Sequence, residues 1–333
     1  MPESQYAKYA DAYANPQGPG DARPTAQQII DQEGLRGAWV GRVVMITGAS
    51  AGIGVETARA IATTGATIYL PVRSPEKTKE SLGDLIKIGQ VILLELDLNS
   101  LESVRRCASE FLAKSRVLHI LIENAGLMAA PEGRTEDGFE IQFGVNHLAH
   151  FLLFQLLKDA LVAASTPSFN SRVIIVSSSA HRLSSVRFDN INFEGEYVPW
   201  LAYGQSKTAN LWTANHLARL YGSKGVHTNS LNPSVVRTSL GRFMPDEVVK
   251  AAFEDEDTLK EQRSIPQGAA VTVYAAAAKE LEGKGGLYLE NLVPSKPVEA
   301  DAGTNDPGYA EWAFDEENEK KLWDLSMKLV GLA

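Results

Sequence analysis

Cysteine is nearly absent: Cys107 is the only one in 333 residues. A single thiol can form no intrachain disulfide and no cysteine zinc cluster, and it points to a reducing compartment. No run approaches the ~18 consecutive apolar residues of a membrane helix. The most apolar stretches, Phe151–Leu157 and Tyr274–Ala278, are far shorter. The first forty residues carry Pro2, Pro16, Pro19 and Pro24 and no apolar signal-peptide core. The expectation is a cytoplasmic protein without an integral membrane segment. Positive charge is also short: 32 Lys and Arg against 41 Asp and Glu give a net charge of −9. A nucleic-acid binder needs basic surface to release counterions from phosphate, so no nucleic-acid partner is expected. His147 and His150 share a helical stretch, but no carboxylate or cysteine accompanies them at ligand spacing. They are read as packing groups, and no metal is expected.

What is present is ordinary globular composition, 44% apolar and 22% charged, with no internal repeat. Residues 1–24, rich in Pro, Gly, Ala and Tyr, read as a flexible arm. Thr25 with Gln28 forms a capping-box signature opening a short helix that Gly34 stops. Beyond it, short apolar runs alternate with helical spacing: 42–47, 67–70, 91–96, 119–122, 172–177, 226–231 and 285–290. Continuous apolar strands separated by helices call for a parallel sheet covered on both faces. The fold expected is a Rossmann-type, doubly wound α/β domain over 25–333 with a mainly parallel seven-stranded sheet.

The run Thr47-Gly48-Ala49-Ser50-Ala51-Gly52-Ile53-Gly54 follows the first strand and opens a helix. Glycines there let the backbone approach a pyrophosphate, whose charge sits against the helix N-terminus. The spacing is neither GxGxxG nor a P-loop. At the end of the second strand, about 20 residues on, an acidic residue would hold a ribose hydroxyl and an arginine a 2′-phosphate. No Asp or Glu occurs between Gly65 and Pro75, and Arg73 stands there beside Ser74. NADP(H) is therefore the expected cofactor. Tyr203 and Lys207 are i,i+4 at the head of a helical run, so phenol and ammonium share one face. A nearby cation would lower the tyrosine pKa and make it a usable acid–base group.

TGASAGIG at 47–54, Asp97-Leu98, Asn124-Ala125-Gly126, Asn146, Ser177-Ser178 and the YxxxK at 203–207 together resemble a classical short-chain dehydrogenase/reductase over residues 25–333. The segments at 172–182, 201–211 and 267–291 resemble the retinol dehydrogenase and WW-domain oxidoreductase-like branch, without WW domains. The resemblance implies a catalytic tetrad. Tyr203 would be the proton donor, Lys207 would lower its pKa and hold the nicotinamide ribose, Ser178 would bind the substrate carbonyl, and Asn146 would hold a relay water. It further implies cofactor contacts from Gly48, Ser50, Gly52, Ile53, Gly54, Arg73, Asp97, Leu98, Asn124, Ala125, Gly126, Pro233, Val236 and Thr238. A homodimer or higher homo-oligomer, paired through the YxxxK helix and its neighbour, is also implied.

Three departures stand out. Glu123 replaces the first Asn of Asn-Asn-Ala-Gly, Ser234 replaces the glycine of Pro-Gly, and Ser178 and Tyr203 are 25 residues apart, with 183–200 as the added segment. That segment and 238–266 are expected to build the substrate side, with Phe188, Tyr197, Trp200, Leu240, Phe243 and Met244 as apolar candidates. The substrate expected is a hydrophobic ketone, aldehyde or alcohol. The alternatives are a nucleotide-binding interaction protein with vestigial chemistry and an epimerase or dehydratase on the same scaffold. Cys107 is read as buried, and the acidic run 254–257 as solvated.

Overall fold

The apolar runs become strands because both faces of the sheet are covered by helices. The computed structural model describes residues 6, 8–88, 90–244, 247, 249–250, 254–303 and 306–333. Its strands are β1 Val43–Ile46, β2 Thr67–Val72, β3 Gln90–Glu95, β4 Ile120–Glu123, β5 Ser171–Val176, β6 Val226–Leu231, β7 Tyr288–Glu290 and β8 Val293–Pro294. The sheet order is β3-β2-β1-β4-β5-β6-β7-β8, parallel from β3 to β7. Side chains alternate between two cores. Ile120 and Ile122 of β4 join Ile29, Ile61 and Tyr274 on one face, while Leu121 joins Phe111, Phe151 and Trp212 on the other. The order reverses between β1 and β4, which opens a crevice at the carboxyl ends of the strands.

Seven strands were expected, and eight are found among the described residues. The extra one is a two-residue antiparallel strand paired with β7. Its turn uses Asn291 and Leu292, both at positive φ (52° and 62°). A tight hairpin needs that backbone, but the usual signal is Asn-Gly, and leucine gives none.

The arm over 1–24 is not free in its described part. Tyr6 and Tyr9 are buried, and Tyr9 packs edge-on against Tyr274 at 6.1 Å. Arg23 is 2% exposed and donates to the carbonyls of Gly18, Lys260, Glu261 and Gln262. The Pro, Gly, Ala and Tyr content suggested flexibility, but in the described part arginine and tyrosine act as anchors. The Thr25 capping box forms as expected and opens the helix Ala26–Gln32.

The helical segment Ile141–Ala164 is long and apolar enough to cross a membrane by composition, with mean hydropathy 1.2, and 72% of that window is buried inside the protein. It packs as a core helix. The helix Pro199–Tyr221 beside it is covered by the chain's own C-terminal helix, Glu316–Leu329. Asn215 donates to Glu319, Arg219 pairs with Glu319, and Trp323 lies edge-on to Phe151 at 4.9 Å. The C-terminal helix therefore covers part of the YxxxK helix, the helix through which two copies were expected to pair.

Candidate active site

The crevice is a cavity of about 1540 Å³ lined from the ends of β1 to β6. The glycine loop forms one wall, and its backbone explains its composition. Gly48 and Gly52 have φ of +72° and +59°. A Cβ on Gly54 would lie 2.3 Å from the Gly48 carbonyl oxygen, and one on Gly48 would lie 2.7 Å from Ala125 Cα. No side chain fits at either position, so bare backbone faces the cavity, as a dinucleotide cradle requires. Asn124 holds the loop from behind, donating through Nδ2 to the Thr47 carbonyl at 3.0 Å.

The other expected cofactor contacts line the same cavity: Ser50, Ile53, Arg73, Asp97, Leu98, Asn124, Ala125, Gly126, Pro233, Val236 and Thr238. Ser234 has φ +67°, so the turn keeps the left-handed backbone that glycine favours, although the residue is serine. Its N–H donates to Asn232 Oδ1 at 3.0 Å, which helps hold the turn.

Tyr203, Lys207 and Ser178 meet on the cavity wall. The helix Pro199–Tyr221 starts with Pro199 at its first turn, where a missing N–H is harmless, and carries Tyr203 and Lys207 one turn apart. Ser178 caps the short helix Ser179–Leu183 by accepting from Ala180 N, and its hydroxyl side chain lines the cavity with Tyr203. Lys207 is 4% exposed and donates to the Val176 carbonyl at 3.0 Å.

The electrostatics differ from expectation. Burial pushes the Tyr203 phenol up to about 12, with the Ser178 hydrogen bond pulling the other way. Burial pulls Lys207 down to about 8. The ammonium lies 5.6 Å from the tyrosine ring centre and is directed at a carbonyl. Burial dominates, so the phenol of the free protein is raised.

Asn146 does not line the cavity. It sits in a π-helical turn, Gly144–Leu148, fully buried behind Gly126. Its amide accepts from Leu127 N at 2.7 Å and donates to Leu127 O and Ser206 Oγ, both at 2.9 Å. The side-chain amide thus braces the turn that follows β4. His150 ties the π-helical turn to the glycine loop. Thr47 Oγ1 accepts from Asn124 N and Ala125 N, which leaves its proton for His150 Nε2 at 2.9 Å. The ring Nδ1–H then donates to the Asn146 carbonyl at 3.0 Å, and burial holds the imidazole near pKa 4, neutral. His147 bonds Ser326, and among the described residues no metal-binding cluster occurs.

On the substrate side, Trp200, Leu240, Phe243 and Met244 line the cavity as expected. Tyr197 and Phe188 do not. Tyr197 donates to the Ala130 carbonyl, and Phe188 stacks on Trp212 at 6.2 Å beneath Lys321. Met128, Ile141, Val145, Leu183 and Val298 were missed. Met128 follows the Asn-Ala-Gly turn directly and could have been found from that. Val298 comes from beyond β8, and no local signal marks it. Cys107 is buried, its thiol pushed to about 12, and residues 254–257 are exposed, both as expected. Glu123 is 3% exposed, its Oε1 has no partner, and burial raises its carboxyl well above the usual range.

A bare-backbone cradle at a topological switch point, joined to a Ser-Tyr-Lys wall, defines a dinucleotide-dependent oxidoreductase class. The family described as short chain dehydrogenase matches residues 42–248. The short-chain dehydrogenase/reductase prx1 of Penicillium roqueforti is 50% identical over 329 residues, covering 99% of this chain and 96% of that one. Human retinol dehydrogenase 14 is 34% identical over 326 residues, covering 92% and 91%. The solved structure of the angucycline C-6 ketoreductase LanV with bound NADP matches with a TM-score of 0.61 and 25% identity, over 76% of this chain and 94% of that one. The chain belongs to the short-chain dehydrogenase/reductase family, oxidoreductases that use nicotinamide cofactors, and is related to its retinol dehydrogenase branch.

Proposed function

We propose that this protein is an NADP(H)-dependent oxidoreductase that interconverts a hydrophobic ketone or aldehyde and its alcohol. The observation that carries this reading is that Ser178, Tyr203 and Lys207 share the wall of one cavity with the glycine cradle. The choice of NADP rests on Arg73 at the end of β2, where no carboxylate competes. The NADP bound in LanV and the retinol dehydrogenase relative are in keeping with it. When bound, the cofactor supplies or accepts the hydride.

The rest falls to this chain's own residues. The Ser178 and Tyr203 hydroxyls donate to the substrate oxygen and fix the carbonyl. As that oxygen gains charge during reduction, the Tyr203 O–H bond breaks and its proton passes to the oxygen. A phenol held near 12 is fully protonated at neutral pH and ready for that step. Lys207, still charged below about 8, stabilises the phenolate left behind and would hold the ribose hydroxyls. Trp200, Leu240, Phe243 and Met244 offer an apolar wall, which favours a substrate whose body is hydrocarbon. We place the protein in the cytoplasm, in keeping with its one free, buried thiol.

The test is NADPH consumption with a panel of apolar ketones and aldehydes, wild type beside Tyr203→Phe. Turnover should fall by at least 10²-fold in the variant, the usual weight of a positioned acid. NADPH binding, read by nicotinamide fluorescence, should stay within a few-fold of wild type. Equal turnover by a folded, NADPH-binding variant would overturn the mechanism.

A further inference from the structure

The segment from Thr238 to Met244 lines the cavity together with the glycine loop and the end of β2. Its start is fixed on the glycine loop: a Cβ on Gly52 would lie 3.2 Å from Thr238 Cγ2. Thr238 caps the turn Ser239–Gly241 by accepting from Leu240 N. Gly241 marks the substrate side, since a Cβ there would meet Met244 Cε at 2.7 Å and Met128 Cε at 4.0 Å. The next residue, Arg242, lines the same cavity as Arg73 and the end of β2.

Arg242 is held in place without being neutralised. Its Nη1 donates to the Ser239 carbonyl at 3.1 Å, and its guanidinium lies 4.5 Å from the ring centre of Phe243. Among the described residues, neither Arg242 nor Arg73 has a carboxylate partner. Partial burial and then the positive charge of Arg73 lower the Arg242 pKa, so the two cations sense each other across the cavity. Two like charges on the wall of one cavity, neither with a carboxylate partner among the described residues, are unfavourable until an anion lies between them.

We propose that Arg242 is a second recognition residue for the cofactor's 2′-phosphate, joining Arg73 across the cavity. This rests on the NADP reading above. Arg73 is anchored on the sheet, whereas Arg242 belongs to the segment that carries Leu240, Phe243 and Met244. A phosphate held by both therefore ties the apolar substrate wall to the cofactor. Preference for NADP and order in the substrate pocket become one event, in which the phosphate relieves the repulsion between the two guanidinium groups.

The experiment measures direct binding to the full chain, by calorimetry, of NADPH and NADH and of adenosine 2′,5′-bisphosphate and ADP. Wild type is compared with Arg242→Gln, Arg242→Lys and Arg73→Gln, each first checked for an unchanged melting temperature. Arg242 is exposed, so these variants are expected to fold. Arg242→Gln should weaken NADPH and the 2′,5′-bisphosphate by about tenfold to a hundredfold, the weight of a charge-assisted hydrogen bond. NADH and ADP should change less than threefold. Arg242→Lys should recover part of the loss and, if Arg242→Gln misfolds, decides the question by the same selective weakening on a smaller scale.

An Arg242→Gln chain that weakens all four ligands alike, or none, overturns the proposal. If Arg73→Gln is still selective in that case, the NADP reading survives. A wild-type chain that binds NADH as tightly as NADPH overturns both.

Discussion

Replacing Lys207 with methionine should make the free protein more stable while removing its activity. Lys207 is 4% exposed, and burial lowers its pKa from 10.5 to about 8. At pH 7 it is charged in both the folded and the unfolded chain. The native state therefore carries the whole cost of burying the ammonium. A shift of about 2.5 units at 1.36 kcal/mol each amounts to about 3 kcal/mol. Methionine fills the path of the lysine stem without a charge. The Val176 carbonyl is not orphaned by the change, since Asn210 Nδ2 also donates to it at 3.2 Å. The Ser177 hydroxyl bonds the main-chain carbonyl of residue 207, which the substitution keeps.

The pH dependence gives a second reading of the same cost. Between about 8 and 10.5 the unfolded chain holds the Lys207 proton and the native chain does not, so wild-type stability gains with rising pH. The advantage of Lys207→Met should be about 3 kcal/mol at pH 7, roughly 2 at pH 9, and gone near 10.5. Denaturant unfolding of both proteins without cofactor at pH 7 and 9 measures it. A variant less stable than wild type at pH 7, or a gap that does not shrink with pH, refutes the reasoning. Activity at a cost in stability is a common trade at such sites.

Other outcomes follow from the same geometry. Gly54→Ala forces a methyl group to 2.3 Å from the Gly48 carbonyl oxygen. It should cost about 1–3 kcal/mol of stability and weaken nucleotide binding, read by denaturation and fluorescence titration. Glu123 keeps its proton in the folded chain above the pH at which the unfolded chain gives it up, so it lowers stability as pH rises. Glu123→Gln should therefore gain on wild type between pH 5 and pH 8 in parallel melts, and a constant difference would contradict the burial argument. If the helix Glu316–Leu329 blocks pairing through the Tyr203 helix it packs on, light scattering of the full chain returns the 36.1 kDa monomer, and a dimer mass shows that pairing uses another face. Deleting that helix uncovers Phe151 and leaves Asn215 without Glu319, and should give self-association.

Much of the molecule follows from local sequence. The runs at 42–47 and 172–177 are too apolar to face water on either side, so they had to be central strands. The glycines at 48, 52 and 54 are legible because only a backbone without side chains can close on itself and on a pyrophosphate there. Thr25 with Gln28 encodes a helix start within four residues, and i,i+4 spacing alone puts Tyr203 and Lys207 on one face.

Contacts between distant segments decided the rest. Whether Lys207 lowers the Tyr203 pKa depends on how dry both groups become, and that is set by helices and strands far from either in sequence. Asn146 is a brace and not a cavity residue because Leu127 and Ser206 consume its amide. The polar arm is ordered because Arg23 finds carbonyls more than 230 residues away, at Lys260, Glu261 and Gln262. Part of the Tyr203 helix is covered because the last helix folds back over it. Sequence fixes what each segment can do alone, through its backbone freedom and its apolar period. Which polar group loses its water, and which surface is left to meet a partner, depends on what packs against it, and only the tertiary structure decides that.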